Sequence, residues 1–162
     1  MIQSANEPAA LVTGGSRGIG AAIVARLAAR GIPVVNLDRE APADASPARF
    51  VPCDLTDLAA TQEAFARIAR ENAILWLVNN AGIAAPATLE ETTVEDFDKV
   101  VSINLRACIL AAQAVLPAMK AAGRGRIVTI SSRAALGKEL RTAYSATKAG
   151  VIGLTRTWAL EL

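Results

Sequence analysis

The chain has 162 residues, of which 52% are hydrophobic and 20% charged, with 17 Lys and Arg against 15 Asp and Glu for a net charge of +2. That length suits one domain with a single core, and the apolar content excludes a disordered or low-complexity chain. With no basic run there is no nucleic-acid footprint, and with no His at all, zinc sites built on imidazole and His-based triads are excluded.

The N-terminal "MIQSANEPAA" lacks a basic start and an apolar stretch, and the longest apolar run, Ala73 to Val78, is too short to span a bilayer. The expectation is a cytoplasmic, soluble protein with no membrane partner. Cys53 and Cys108 match no metal or redox spacing and read as buried reduced thiols.

Short apolar runs alternate with longer segments of helical period, the pattern of βαβ units around a parallel sheet. The first strand is expected at about Ala9 to Thr13. A helix then begins near Gly18, with Ile19, Ile23 and Leu27 on one face and Gly31 as its stop. Pro33 to Leu37 is the second strand, "REAPADASPAR" a connecting loop, and "FVPC" a short third strand.

Asp54, Thr56 and Asp57 offer caps for a helix bearing Leu58, Phe65 and Ile68. "AILWLV" is the fourth strand. From Thr92 the residues Val94, Phe97, Val101 and Leu105 recur at helical spacing, and the pattern runs on to Ala122 with a bend expected at Pro117. "RIVTIS" is the fifth strand, and Ala143 to Leu162 the last helix.

Chemistry concentrates in three places. "LVTGGSRGIG" puts Gly14, Gly18 and Gly20 between strand one and its helix, where glycines permit positive φ and a helix N-terminus receives a pyrophosphate. Asp38 follows eighteen residues beyond Gly20, where a carboxylate can accept from both adenosine ribose hydroxyls and repel a 2′-phosphate. NAD is therefore expected, with NADP the lesser alternative because Arg39 and Arg17 can attract that phosphate. Tyr144 and Lys148 lie one helical turn apart on the same face, so the ammonium favours phenolate and makes the phenol a usable general base.

These motifs have companions: "TGGSRGIG" at 13–20, "CDLTD" at 53–57, "NNAG" at 79–82, "INL" at 103–105, "ISS" at 130–132 and "YSATK" at 144–148. In that order the chain resembles the classical short-chain dehydrogenases/reductases along essentially its whole length. The resemblance implies an α/β fold, a Rossmann-like doubly wound parallel sheet of order 3-2-1-4-5, and an NAD(P)-dependent interconversion of an alcohol and a carbonyl.

It implies Tyr144 as the acid/base, Lys148 as its cationic neighbour and ribose ligand, Ser132 as the substrate-oxygen donor, and Asn104 as support for a water leading from Lys148 to solvent. Ser131 is a rival for the Ser132 role. Cofactor contacts are implied at Thr13, Gly14, Ser16, Arg17, Gly18, Ile19, Gly20, Asp38, Arg39, Asp54, Leu55, Asn80, Ala81 and Gly82, with Tyr144 and Lys148. Asp54 has two equally physical uses, on the adenine amino group or as a helix cap. No metal is implied.

Family members continue past the final helix with strands six and seven, so the chain is expected to be one dinucleotide-binding domain, incomplete at its C-terminus, with strand five as an exposed edge. Two functions follow: an oxidoreductase acting on a small alcohol or carbonyl, with 3-oxoacyl carrier-protein reductase one guess at substrate, or a truncated, non-catalytic nucleotide-binding or oligomerisation module. A homodimer or homotetramer is implied, since family members pair through their last two long helices.

Overall fold

A computed structural model describes residues 7–162; most of the N-terminal stretch read for a leader, residues 1–6, lies outside the described residues. The strands are β1 Pro8–Thr13, β2 Val34–Asp38, β3 Arg49–Pro52, β4 Ala73–Asn79 and β5 Arg126–Thr129. They form one sheet of order β3-β2-β1-β4-β5, with β1 parallel to both β2 and β4. Thr13 is level with Leu37 on one side and Asn79 on the other, so three strand ends finish together where the strand order reverses. That is where open α/β sheets place their ligands.

The helices are α1 Gly18–Ala28, α2 Leu58–Glu71, α3 Val94–Val101, α4 Ala107–Ala121 and α5 Thr142–Glu161, with a π-helical turn at Ser102–Arg106 and a 3-10 turn at Arg133–Leu136. The chain divides into two compact units, the first running to Ala81 and including Leu110–Val128, the second comprising Gly82–Ile109 and Thr129–Leu162.

In the first unit β1 is almost entirely buried, which accounts for its unbroken apolar run rather than an alternating one. Val12, Val24, Val34 and Val78 form a core cluster against which Ile23, Leu27 and Trp76 pack. Helix α2 starts where Asp57 Oδ1 accepts from Ala60 N at 2.9 Å, and it buries Thr61, Ala64, Phe65 and Ile68, one helical stripe. In the second unit α3 starts on Thr93, whose hydroxyl accepts from Asp96 N. Gly150 in α5 lies against Leu105 of the π turn, where a Cβ would be only 3.2 Å from Leu105 Cδ1.

Four expected core positions are not core. Ile19 is 65% exposed in the first turn of α1, where the adjacent Gly20 is the buried residue, and Leu58 is exposed at the start of α2. Val94 and Phe97 also face solvent, whereas the buried line runs through Val100, Asn104, Cys108, Ala111 and Val115. An apolar count skips Asn104 and so selects the adjacent stripe. Pro117 lies inside α4, and a π turn that the apolar pattern did not mark lies eleven residues or more upstream.

The continuous helical run Val94–Ala121 is long and apolar enough, by length and composition alone, to cross a membrane; 44% of its most apolar window is buried within the fold. Strand β5 is at the sheet edge as expected, with Val128 51% exposed.

Candidate active site

The glycine turn is built by close approach. Gly14 sits at φ +68, a conformation that favours glycine, and a Cβ on Gly20 would collide with the Gly14 carbonyl oxygen. Helix α1 then opens with no side-chain cap on its first turn, which leaves its leading N–H groups as donors for an anion at the positive end of the helix dipole. This is the observation by which the residues fit a dinucleotide pyrophosphate. Arg17, at the N-cap position, has a largely exposed side chain.

The turn is fastened to the end of β2. Gly15 N donates to Asn36 Oδ1 at 2.8 Å, Asn36 Nδ2 donates to Ser16 Oγ at 3.0 Å, and Ser16 N donates to Asp38 Oδ2 at 3.0 Å. Asp38 Oδ1 accepts from Arg39 N at 2.7 Å. Both Asp38 oxygens thus already hold one backbone donor, and each keeps a lone pair for a further donor such as a ribose hydroxyl. Buried Asn36 and exposed Glu40, neither of them singled out by motif, complete this region. The signal for Asn36 was a polar residue inside an apolar strand.

Three expected cofactor residues, Thr13, Asn80 and Ala81, hold the turn. Thr13 is buried, and its hydroxyl accepts from Asn80 N and Ala81 N, both at 3.1 Å, so its place is behind the turn. Asn80 donates through Nδ2 to Thr13 O at 3.1 Å and Gly14 O at 2.8 Å. Ala81 borders Gly14, where a Cβ would stand 2.9 Å from Ala81 Cα. Asp54 does not cap α2, the task Asp57 performs; its Oδ1 accepts from Thr56 N and Thr56 Oγ1 in an Asx turn. The Leu55 side chain is buried.

The second unit brings Tyr144 and Lys148 together. Lys148 is only 4% exposed; its Nζ donates to Ile130 O at 2.7 Å and lies 5.7 Å from the Tyr144 ring centroid. Burial pulls the Lys148 pKa below the ordinary ammonium range, opposed by the charge of Cys108 when ionised. Gly82 comes within reach of the same group, since a Cβ there would meet Lys148 Nζ and Asn104 Oδ1 at 3.4 Å each.

Asn104 is 1% exposed and sits in the π turn, an insertion common at functional sites. Its carboxamide accepts from Ile83 N and donates to Ile83 O, both at 2.9 Å, and donates to Thr147 Oγ1 at 3.1 Å. A purely local bond to its own helix is thereby replaced by a tie to a chain segment 21 residues away. Thr147 Oγ1 in turn donates to Tyr144 O at 2.9 Å. Thr147 was quoted within "YSATK" but given no role; nothing in the sequence marks a buried Thr as polar cement.

The two serines after β5 divide. Ser131 Oγ donates to Lys148 O at 2.8 Å, which commits it to holding α5. Ser132 caps the 3-10 turn, with Oγ accepting from Ala134 N at 3.1 Å, and its hydroxyl proton remains available to a substrate oxygen.

A family model described as short chain dehydrogenase matches residues 8–162. The chain is 38% identical to D-threitol dehydrogenase of Mycolicibacterium smegmatis, over 94% of this chain and 63% of that protein. It is 41% identical to the 3-oxoacyl-acyl-carrier-protein reductase of Mycobacterium bovis, over 94% of this chain and 62% of that protein. A solved metagenomic short-chain oxidoreductase in complex with NADP superposes with a TM-score of 0.86 at 36% identity, covering 98% of this chain and 77% of that one. The chain belongs to the short-chain dehydrogenase family, and it spans a little over three fifths of the length of these curated relatives.

Proposed function

We propose that this chain carries the dinucleotide-binding and acid/base parts of an NAD(P)-dependent oxidoreductase that interconverts a small alcohol and a carbonyl. The observation that carries the reading is the buried Lys148 ammonium beside the Tyr144 ring on α5, with Asn104 of the π turn and Ser132 of the 3-10 turn in the same unit. A lysine so deeply buried has little structural purpose unless its charge is used.

In this reading the uncapped start of α1, with Gly14 through Gly20, holds the pyrophosphate, and Asp38 holds the adenosine ribose. The cofactor, when bound, supplies the hydride acceptor or donor. Tyr144 Oη takes the proton from the alcohol oxygen during oxidation and returns it during reduction. Lys148 offsets the charge of the Tyr144 phenolate that accepts the proton in oxidation and is left behind in reduction. Ser132 Oγ donates to the same substrate oxygen and holds it in line with Tyr144. Asn104 keeps the Ile83 segment and Thr147 in place around Lys148. Asp38 supports NAD as the preferred cofactor, although the metagenomic relative is in complex with NADP.

Substrates named for the relatives range from a sugar alcohol to an acyl carrier-protein thioester. The common chemistry is a secondary alcohol and its ketone. The test is calorimetric titration of the chain with NAD, followed by NAD reduction assays on a panel of secondary alcohols. Binding with turnover supports the proposal. Binding without turnover across the panel reduces the chain to a nucleotide-binding module, and absence of binding overturns the reading.

A further inference from the structure

Outside the acid/base group stand the exposed β5 edge, the thiol of Cys108 on the Asn104 carbonyl, and the carboxylate of Glu40. Nothing in the structure says what covers the edge, and a thiol on a carbonyl four residues back is ordinary helix behaviour. Glu40 is different, because it occupies two cations at once.

We infer that Glu40 is a selectivity residue that acts as an internal competitor for the 2′-phosphate of NADP, by holding the guanidinium groups of Arg17 and Arg39. The inference rests on the dinucleotide reading above. Arg39 Nη2 donates to Glu40 Oε1 at 2.6 Å, and Arg17 Nη1 lies 3.8 Å from Glu40 Oε2. These two arginines are the cations the sequence offers beside Asp38, and a fork of two guanidinium groups is the grip a phosphate ester takes. The position is already filled by the protein's own anion.

Glu40 is not on a free loop. Its carbonyl accepts from Ser16 Oγ at 2.6 Å, and Ser16 is fixed by Asn36 and Asp38, so the backbone bearing the carboxylate is tied to the glycine turn. The hydrogen bond from Arg39, then its charge and that of Arg17, hold the Glu40 carboxyl below its ordinary range, so it is an anion throughout the working pH. The local balance is two cations, Arg17 and Arg39, against three anions, Glu40, Asp38 and Asp54, all of which act on Arg39. A doubly charged 2′-phosphate finds no net attraction there, whereas NAD loses nothing. The ion pairs are exposed, so the effect belongs in relative affinity and not in stability.

The test is the ratio of the dissociation constants for NAD and NADP, measured by calorimetry on the 162-residue chain. Glu40→Gln is expected to shift that ratio toward NADP by about tenfold, the equivalent of about 1.4 kcal/mol. Adding Arg39→Gln to that variant should return the ratio to its starting value. A ratio unchanged by Glu40→Gln overturns the role of Glu40 and leaves the dinucleotide site standing. Failure of the unaltered chain to bind either nucleotide overturns the dinucleotide reading itself, and this inference with it.

Discussion

Asn104 donates to Thr147 Oγ1 at 3.1 Å, and Thr147 passes its own proton on to the Tyr144 carbonyl at 2.9 Å. The π turn and the first turn of α5 are thus joined by one hydroxyl that uses both its donor and its acceptor. Cooperative bonds of this kind are strong in a dry interior, and costly when half broken.

Thr147→Val keeps the shape of the side chain and removes both bonds. Asn104 Nδ2 would lose one of its two acceptors inside the protein. Unfolding in urea should show a loss of about 1–3 kcal/mol, the cost of a buried donor left unsatisfied. A loss within error would mean that the Asn104 amide is satisfied by Ile83 alone.

Gly20→Ala introduces a methyl group onto the Gly14 carbonyl oxygen, beside Asn80 Nδ2. The turn must move, at a cost of about 1–3 kcal/mol for overpacking, and the first N–H groups of α1 move with it. Titration with adenosine 5′-diphosphate should show weakened binding, by more than the drop in stability accounts for through unfolding. Unchanged affinity would separate the glycine turn from the nucleotide.

Two neighbouring groups give pH dependence of opposite sign. Lys148 has a folded pKa below 10.5, so between the two values the unfolded chain holds the extra proton; its stabilising share is complete above 10.5 and lost as pH falls through the folded value. Cys108, buried, has its pKa raised from 9.0 to about 11, so its share is complete below 9 and lost as pH rises through about 11. That second share is about 3 kcal/mol at the exchange of roughly 1.4 kcal/mol per pH unit. Urea unfolding across this range should lose the falling slope in Cys108→Ala and the rising one in Lys148→Met.

Much of this was legible in the sequence because the motifs are local. The glycine turn and the Tyr144–Lys148 spacing need only a few consecutive residues each, and the strand order followed from the family resemblance that such motifs carry. The tertiary ties were not legible. Asn36 pinning Gly15, Asn80 pinning Gly14 and Asn104 reaching Ile83 are all polar side chains bonding backbone 21 to 66 residues away. No periodicity marks such partners. The buried stripe of α3 was misplaced for the same reason: Asn104 belongs to it, and apolar counting has no place for an amide whose partners arrive from another segment.

Asp38 shows the converse. Its position at the end of β2 was correct, but half of its hydrogen-bonding capacity is already used on Ser16 and Arg39, and Glu40, inside what read as a plain loop, sets the charge around it.

The most direct measurement of the central claim is turnover of Tyr144→Phe on any secondary alcohol the unaltered chain oxidises, with NAD affinity measured in parallel. Loss of turnover by about a hundredfold or more, the usual worth of a positioned acid/base, with NAD affinity held within about threefold, is the predicted result. Retention of most of the turnover would contradict it, and would take the proton from Tyr144 altogether.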